Sequence, residues 1–548
     1  MDDSISADVI RRRIDSALGK SALEHTLALV GHMSVTGTVG EQTFSRFLAG
    51  HLQALPAFTR SPDLVALEPV PGPPEGRECV AALVRGRGRR TVVLCGHYDV
   101  VGIADYGDLQ PLAGKPFALA SALIARLADT GEDPRALADL RSGDYLPGRG
   151  ILDMKAGLGA GLAVLDAFAA SEERVGNLLF LAVPDEENQS AGMRAAGPFL
   201  ARLAETHGLD LALAINLDAL QDDCSVGLGC VGKHLVTTYI IGHEAHACYP
   251  FNGLNAAYLA AAIVQEMEYE PDLAEGTPGD MSAPPVVLVQ SDLREGYDVT
   301  TPARSWCAFN VITRRRSGRE VLDHATKVVR RALARALALR RERQERAGAQ
   351  GSVSFGEPPV VAYEEVDRRA SATAGYAAAK AALAAQLRAQ ADLTMPERAR
   401  RMTELAVEAA RITGPCVVMG FGGLSYPAVP ALRMQADAAL EDAVREAVAF
   451  GAARTGVEVA VRDQLAVITD MSFPGAYHRQ EDIEATHDNP LWPDILSWDI
   501  AGYPRLPIVN IGPSGRDYHR FVERAEIGYS FTALPEIVDA VARAALAR

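Results

Sequence analysis

The sequence predicts a mixed α/β fold: a mostly parallel sheet with helices on both faces, interrupted by an inserted α+β module of ferredoxin-like type. Three observations predict it. Over roughly the first 230 residues, short apolar runs alternate with helical segments, as in a parallel sheet with covering helices. Near Val231 the order becomes β-α-β-β-α-β, a compact two-layer module. Beyond it an α/β pattern resumes. With 548 residues the chain also exceeds the size at which one core stops growing, so two or more domains are expected.

Along the chain, residues 12–31 and 41–55 carry helical periodicity. Residues 79–84 and 91–94 read as paired strands, with Arg85-Gly86-Arg87-Gly88-Arg89-Arg90 as a solvated hairpin turn between them. Residues 155–170, rich in small side chains, read as a helix beginning directly after Asp153. Its segment Gly157-Leu158-Gly159-Ala160-Gly161 lacks GxGxxG spacing and follows a charged loop. Close helix–sheet packing explains it better than a phosphate cradle. In the module, 235–242, 285–290, 303–313 and 352–355 read as strands, and 254–267 and 319–346 as helices. Residues 367–412 are rich in Ala, Arg and Glu and helical by propensity, forming two helices broken near Met395-Pro396. Strands at 417–419, 458–462 and 507–511 and a helix at 436–453 follow. The expected division is a main domain of 1–230 and 357–548, with the extra helical segment 367–412, around an inserted module of 231–356.

Composition narrows the function. A content of 48% hydrophobic and 23% charged residues is that of a soluble globular enzyme. A net charge of −16 argues against nucleic acid or an anionic membrane as partner. Seven cysteines, without a CxxC pair and several in apolar runs, read as reduced, buried thiols. The N-terminus starts acidic, soon reaches Arg11-Arg12-Arg13 and has no secretory pattern. No run of about 18 apolar residues could span a membrane. A cytoplasmic location is expected.

Five apolar runs deliver side chains that bind metals. Residues 92–95 lead to His97 and Asp99, 150–152 to Asp153, 178–183 to Glu186 and Glu187, 213–217 to Asp218, and 507–512 to His519. Ligands in open α/β sheets collect outside the carboxyl ends of the strands. His97 and Asp99, two apart at a strand end, point the same way, and an Asp can hold the second nitrogen of a metal-binding His. Taken singly, each residue has an ordinary structural account; Asp153, for instance, suits a helix N-cap. Adjacent Glu186 and Glu187 are ill placed to chelate one ion together, so one ligand and one base is the natural split. Jointly, two His, a shared Asp and two further carboxylates suit two divalent ions. Mixed N/O ligation fits zinc, with cobalt or manganese as alternatives.

The order His97-x-Asp99, Gly150-x-x-Asp153-x-Lys155, Glu186-Glu187, Asp218, and His519 with Glu523 resembles the M20 metallopeptidases, co-catalytic zinc hydrolases of the aminoacylase, carboxypeptidase and dipeptidase group. Gly242-His243-Glu244-Ala245-His246, then Pro250, Gly253 and Asn255-Ala256, resembles that family's lid and dimerisation domain. Thr469-Asp470 resembles a TD pair preceding its last strand. The late segments 470–472, 489–492 and 510–519 are similar to the arginine-utilisation subgroup of the RocB type.

The resemblance implies His97 and Asp218 on one metal, Glu187 and His519 on the other, and Asp153 between them. It makes Glu186 the general base and Asp99 the residue orienting His97. It also implies a homodimer through the lid, whose His246 stabilises the oxyanion, and a substrate-side loop at Gly512-Pro513-Ser514-Gly515. Arg314, Arg315 and Arg316 stand near a family position for a substrate-binding arginine, but a solvated basic turn suits them better. The function expected is hydrolysis of a small amide, an N-acyl amino acid or short peptide. A fold kept only for binding, or a dinuclear hydrolase of an ester or carbamoyl group, are the alternatives. Against the first, every ligand position and the base retain competent residue types.

Overall fold

The computed structural model describes residues 7–548 apart from 73, 278–279, 295, 350–352, 391, 476–479 and 498–502. The N-terminal residues Met1 to Ile5 and the start of the expected 352–355 strand, Ser352, lie outside the described residues. The chain divides into two compact units: Met1–Cys230 with Val429–Ala476 and Ala501–Arg548, and Val231–Ala428 with Tyr477–Ile500.

The first unit is built on an eight-stranded sheet. Its order is Val65–Pro69, Glu78–Val84, Val175–Val183, Arg87–His97, Asp210–Asn216, Ile508–Asn510, Ser225–Gly227, Ala460–Arg462. The central strands run parallel, and from Thr91 to His97 and from Gly176 to Val183 every residue is buried. Such unbroken apolar runs belong in a parallel sheet covered on both faces.

The expected hairpin of 79–84 with 91–94 does not form. The Val175–Val183 strand lies between them, antiparallel to the first and parallel to the second. Its apolar run satisfies a ladder on each edge, which a hairpin would have left unmatched. The chain crosses its start at Gly86, where the Gly86 N–H donates to Asn177 Oδ1 at 3.2 Å and the Arg87 N–H to the Arg174 carbonyl at 2.8 Å. Arg85, Arg87 and Arg89 are exposed and Arg90 half-buried, and the run caps carbonyls: Arg85 reaches His207 O at 3.1 Å, Arg89 Gly208 O at 2.9 Å and Arg90 Ala545 O at 2.7 Å.

The helix Ala156–Ala170 is buried on nearly every side, against Ala17–Val30 and the sheet. Its glycines serve close packing, as expected. A Cβ on Gly157 would stand 2.0 Å from the Leu217 carbonyl oxygen. Gly512 is equally constrained, at 1.8 Å from the Asp218 carbonyl. Both contacts fix the strand end that carries Asp218.

The second unit carries a five-stranded sheet in the order Val286–Asp292, Arg304–Thr313, Gly232–Ile241, Cys416–Phe421, Val360–Ala362. Residues 353–355 form no strand. The ferredoxin-like fourth position, antiparallel beside Gly232–Ile241, belongs to Cys416–Phe421. The second unit therefore extends to 428, past the boundary at 356 that the sequence suggested, because this strand pairs inside it. Between them lie three helices, not two: Tyr363–Ala370, Tyr376–Ala389 and Met395–Ala409, with the break near Met395-Pro396 at the start of the third. Strand alternation explains their place. Val236, Ile240 and Phe309 pack with the helices Ala256–Met267 and Gly318–Arg346, whereas Tyr239, Ile241 and Trp306 pack with the three added helices. The module thus has three layers where two were expected.

Gly157→Ala should lower the melting temperature. Helix propensity favours alanine by about 1 kcal/mol, but overpacking against a backbone oxygen costs about 1–3 kcal/mol or more. Calorimetry showing an unchanged or raised Tm would contradict this packing.

Candidate metal centre

The five strand-end groups converge in the first unit. His97 ends its strand buried, with Nε2 3.1 Å from Asp153 Oδ1 and 3.7 Å from Asp218 Oδ1. His519 Nε2 lies 3.1 Å from Asp153 Oδ2 and 3.0 Å from Glu187 Oε2. Two ligand-like triads result, His97/Asp153/Asp218 and Asp153/Glu187/His519, with Asp153 common to both. The His97 side chain is 1% exposed and that of His519 45%, so the second triad is the open side.

Local structure places each group. Leu217 N–H donates to the Cys95 carbonyl at 2.8 Å, tying two strand ends together. Asn510 Nδ2 donates to the Asp218 carbonyl at 2.9 Å, and the Asp218 carboxylate accepts from Ala219 N–H at 2.7 Å. Glu523 accepts from the N–H groups of Leu152 and Asp153 at 3.1 and 3.3 Å and pairs with buried Arg149 at 2.8 Å. Lys155, fully buried, donates to the His32 carbonyl at 2.9 Å and lies over the Phe44 ring. The turn that aims Asp153 is thus held from both sides.

Asp99 sits differently from the expectation. The Nδ1 of His97 meets the Asp99 backbone carbonyl at 3.0 Å, while the carboxylate stands 3.6 Å away. That carboxylate instead accepts from Glu186 N–H at 3.1 Å, Glu187 N–H at 3.3 Å and Thr36 Oγ1 at 2.9 Å. One residue therefore orients an imidazole through its main chain and fixes the two glutamates through its side chain.

The glutamate loop has a second anchor. Asp185, at φ 70°, pairs with buried Arg77, its carboxylate accepts from Ala191 N–H at 3.1 Å, and its carbonyl accepts from Ser190 N–H at 2.6 Å. His519 also adopts a left-handed conformation, at φ 66°. For non-glycine residues this costs on the order of 1 kcal/mol or more and persists where surroundings enforce it.

Sequence reasoning missed Arg77, Asp185 and the reach of Asp470. Arg77 gives no local signal, being 108 positions from its partner. Asp470 is buried, and its charge is felt at Glu186. The TD pair was the available sign. His246, Arg314, Arg315 and Arg316 lie in the second unit. His246 is exposed, its Nδ1 accepting from the Cys248 N–H at 3.1 Å. The N–H groups of Arg314, Arg315 and Arg316 donate to the Glu275 carboxylate at 3.1–3.2 Å, in keeping with a basic turn.

Electrostatics constrains what the cluster can hold. Burial pushes Glu187 up to about 7 and raises Glu186 and Asp218, with neighbouring carboxylates adding to the effect. Burial likewise brings Asp470 to about 7. Bonds to Asp153 and Glu187 lift His519 to about 10. Burial lowers His97, but its bond to Asp153 and the nearby carboxylates of Asp218 and Asp99 outweigh that and leave it well above the ordinary range. Burial raises Asp153, yet the two imidazoles hold it below the usual carboxylate range. So many carboxylates in one buried place call for positive charge. Glu187 Oε1, buried without a hydrogen-bond partner among the described residues, fits a metal-binding oxygen. The N/O donor set fits divalent zinc, cobalt or manganese.

The chain is 30% identical over 523 residues to the YqjN protein of Bacillus subtilis (strain 168), covering 93% of this chain and 94% of that one. It is 27% identical over 551 residues to RocB of the same organism, covering 94% and 93%. A crystal structure of a tripeptidase from Staphylococcus aureus subsp. aureus Mu50 shares the fold, with a TM-score of 0.50, 15% identity and coverage of 98% and 100%. The profile of peptidase family M20/M25/M40 matches residues 93–453, and the chain belongs to that family.

Proposed function

We propose that the protein hydrolyses an amide bond of a small substrate, an N-acyl amino acid or a short peptide, with two divalent ions, zinc the expected pair. The observation that carries this reading is the Asp153 carboxylate, which gives one oxygen to each of two His/carboxylate triads. His97 and Asp218 would complete one ion's ligands, and Glu187 and His519 the other's. Bound there, the ions would polarise the scissile carbonyl and acidify the attacking water.

The chain's own groups handle the protons. Glu186, its backbone fixed by Asp99, takes the proton of the attacking water on its carboxylate. It then passes that proton to the amide nitrogen as the C–N bond breaks. Burial among carboxylates suits a group that must both accept and release a proton. His246 is suited to oxyanion stabilisation. Its Nδ1 accepts the Cys248 N–H, so in the neutral ring Nε2 carries the hydrogen and is a donor. Action of His246 on a partner copy, through a lid-mediated homodimer, is part of this proposal.

Glu186→Gln should reduce kcat by about 10²- to 10⁴-fold while plasma mass spectrometry still finds close to two metal ions per chain. Full activity in that variant would remove Glu186 from the role of base. Chelation should abolish hydrolysis across a panel of N-acyl amino acids, dipeptides and arginine-related amides, and added zinc should restore it. Hydrolysis of esters alone, or turnover indifferent to chelator, would count against an amidohydrolase.

A further inference from the structure

The two histidines of the centre are held in different ways. His97 is buried at the end of a strand, and its Nδ1 meets the Asp99 carbonyl at 3.0 Å. His519 offers Nε2 to Asp153 and Glu187, but its Nδ1 has no hydrogen-bond partner among the described residues. A metal-binding imidazole is usually aimed by a bond to its other nitrogen. The direction of His519 must therefore come from its main chain. That main chain is the loop 517–523, which joins the antiparallel strands Ser514–Arg516 and Arg524–Glu526. Asp517 and His519 both adopt left-handed conformations there, at φ 54° and 66°. Surroundings must impose such geometry on residues other than glycine.

The surroundings that impose it are a buried guanidinium and one carboxylate. Arg524, whose side chain is fully buried, uses a single nitrogen to close the loop. Its Nη1 donates to Asp517 Oδ2 at 2.8 Å and to the Val522 carbonyl at 2.9 Å, as the two hydrogens on that nitrogen allow. The rest of the fork is fixed from outside the loop. Nε and Nη2 both donate to Asp139 Oδ2, at 3.0 and 2.7 Å, on the helix Pro134–Ser142. The other oxygen of Asp517 stays within the loop, accepting from Arg520 Nη1 at 3.0 Å, while its carbonyl accepts from the Arg520 N–H at 3.1 Å. Asp517 is thus joined to both halves of the turn that carries His519.

Resting on the two-ion reading above, we propose that Asp517 and Arg524 are positioning residues for the second metal site. By closing the loop 517–522 they set the direction of His519 and with it that site's affinity. The first site, His97 with Asp218, is held by the sheet and does not depend on them.

Competition titration of the metal-free, full-length protein with zinc against a chromophoric chelator tests this by reading two affinities. His519→Ala identifies the step that belongs to the second site. Asp517→Asn, a change that keeps a residue tolerant of left-handed backbone, should weaken that same step by about 10- to 100-fold and leave the other unchanged. Arg524→Lys loses the planar fork, should act alike, and serves if Asp517→Asn does not fold. Asp222→Asn is the matched control. Asp222 is also left-handed, at φ 52°, and pairs with Arg516 at 2.6 Å and Arg135 at 2.9 Å rather than with the loop; its variant should keep both affinities. Two ions bound with unchanged affinities in Asp517→Asn, an equal loss at both sites, or the same loss in Asp222→Asn would overturn the proposal. A wild-type protein that takes up one ion or none would instead overturn the two-ion reading, and the proposal with it.

Discussion

Asp153 gives one carboxylate oxygen to His97 and the other to His519, each at 3.1 Å, and the surrounding loops are arranged to keep it there. A buried carboxylate in this position is expensive unless positive partners compensate it. Here the compensation comes from two imidazoles carried by segments 422 positions apart in the chain, counted from His97 to His519. The turn before Asp153 is fixed by Glu523, and the turn after it by Lys155. The opposing glutamates are fixed through their own backbone by Asp99. Sites of this kind work when supporting groups hold the reactive ones within a fraction of an ångström, and here those supports are mostly main-chain hydrogen bonds to buried carboxylates.

The same logic reaches into the core. Gly157 and Gly512 let a helix and a loop press against the backbone of Leu217 and Asp218, so packing density is converted into placement of a ligand. In the second unit, the added helices cover a sheet face that a two-layer module would have left to solvent. Residues 480–496 then close a cavity at the end of that sheet.

Much of this was legible in the sequence where local pattern and chemistry coincide. Buried parallel strands announce themselves as unbroken apolar runs, and the residues that follow them are where ligands belong. His97, Asp153, Glu187, Asp218 and His519 could therefore be named together before any coordinates. What could not be read is pairing at a distance. Arg77 with Asp185 has no signature, because a buried ion pair between remote positions leaves no periodicity. The 79–84 and 91–94 runs were compatible with a hairpin, and only competition from the stronger apolar run at 175–183 separates them. The strand expected at 417–419 was placed outside the inserted module, whereas it pairs inside the second unit. A strand's partner is chosen by tertiary packing, and the helices Tyr363–Ala370, Tyr376–Ala389 and Met395–Ala409 intervene. Asp99 shows the finest limit: its spacing from His97 indicated an interaction, but not that the main chain would make it.

The central claim is that one carboxylate organises two metal sites. Zinc-edge anomalous diffraction from crystals of the zinc-loaded protein tests it directly. The account predicts two peaks roughly 3.5–4 Å apart, one beside His97 and Asp218, the other beside Glu187 and His519, with Asp153 between them. A single peak, or two peaks of which Asp153 touches at most one, would contradict it.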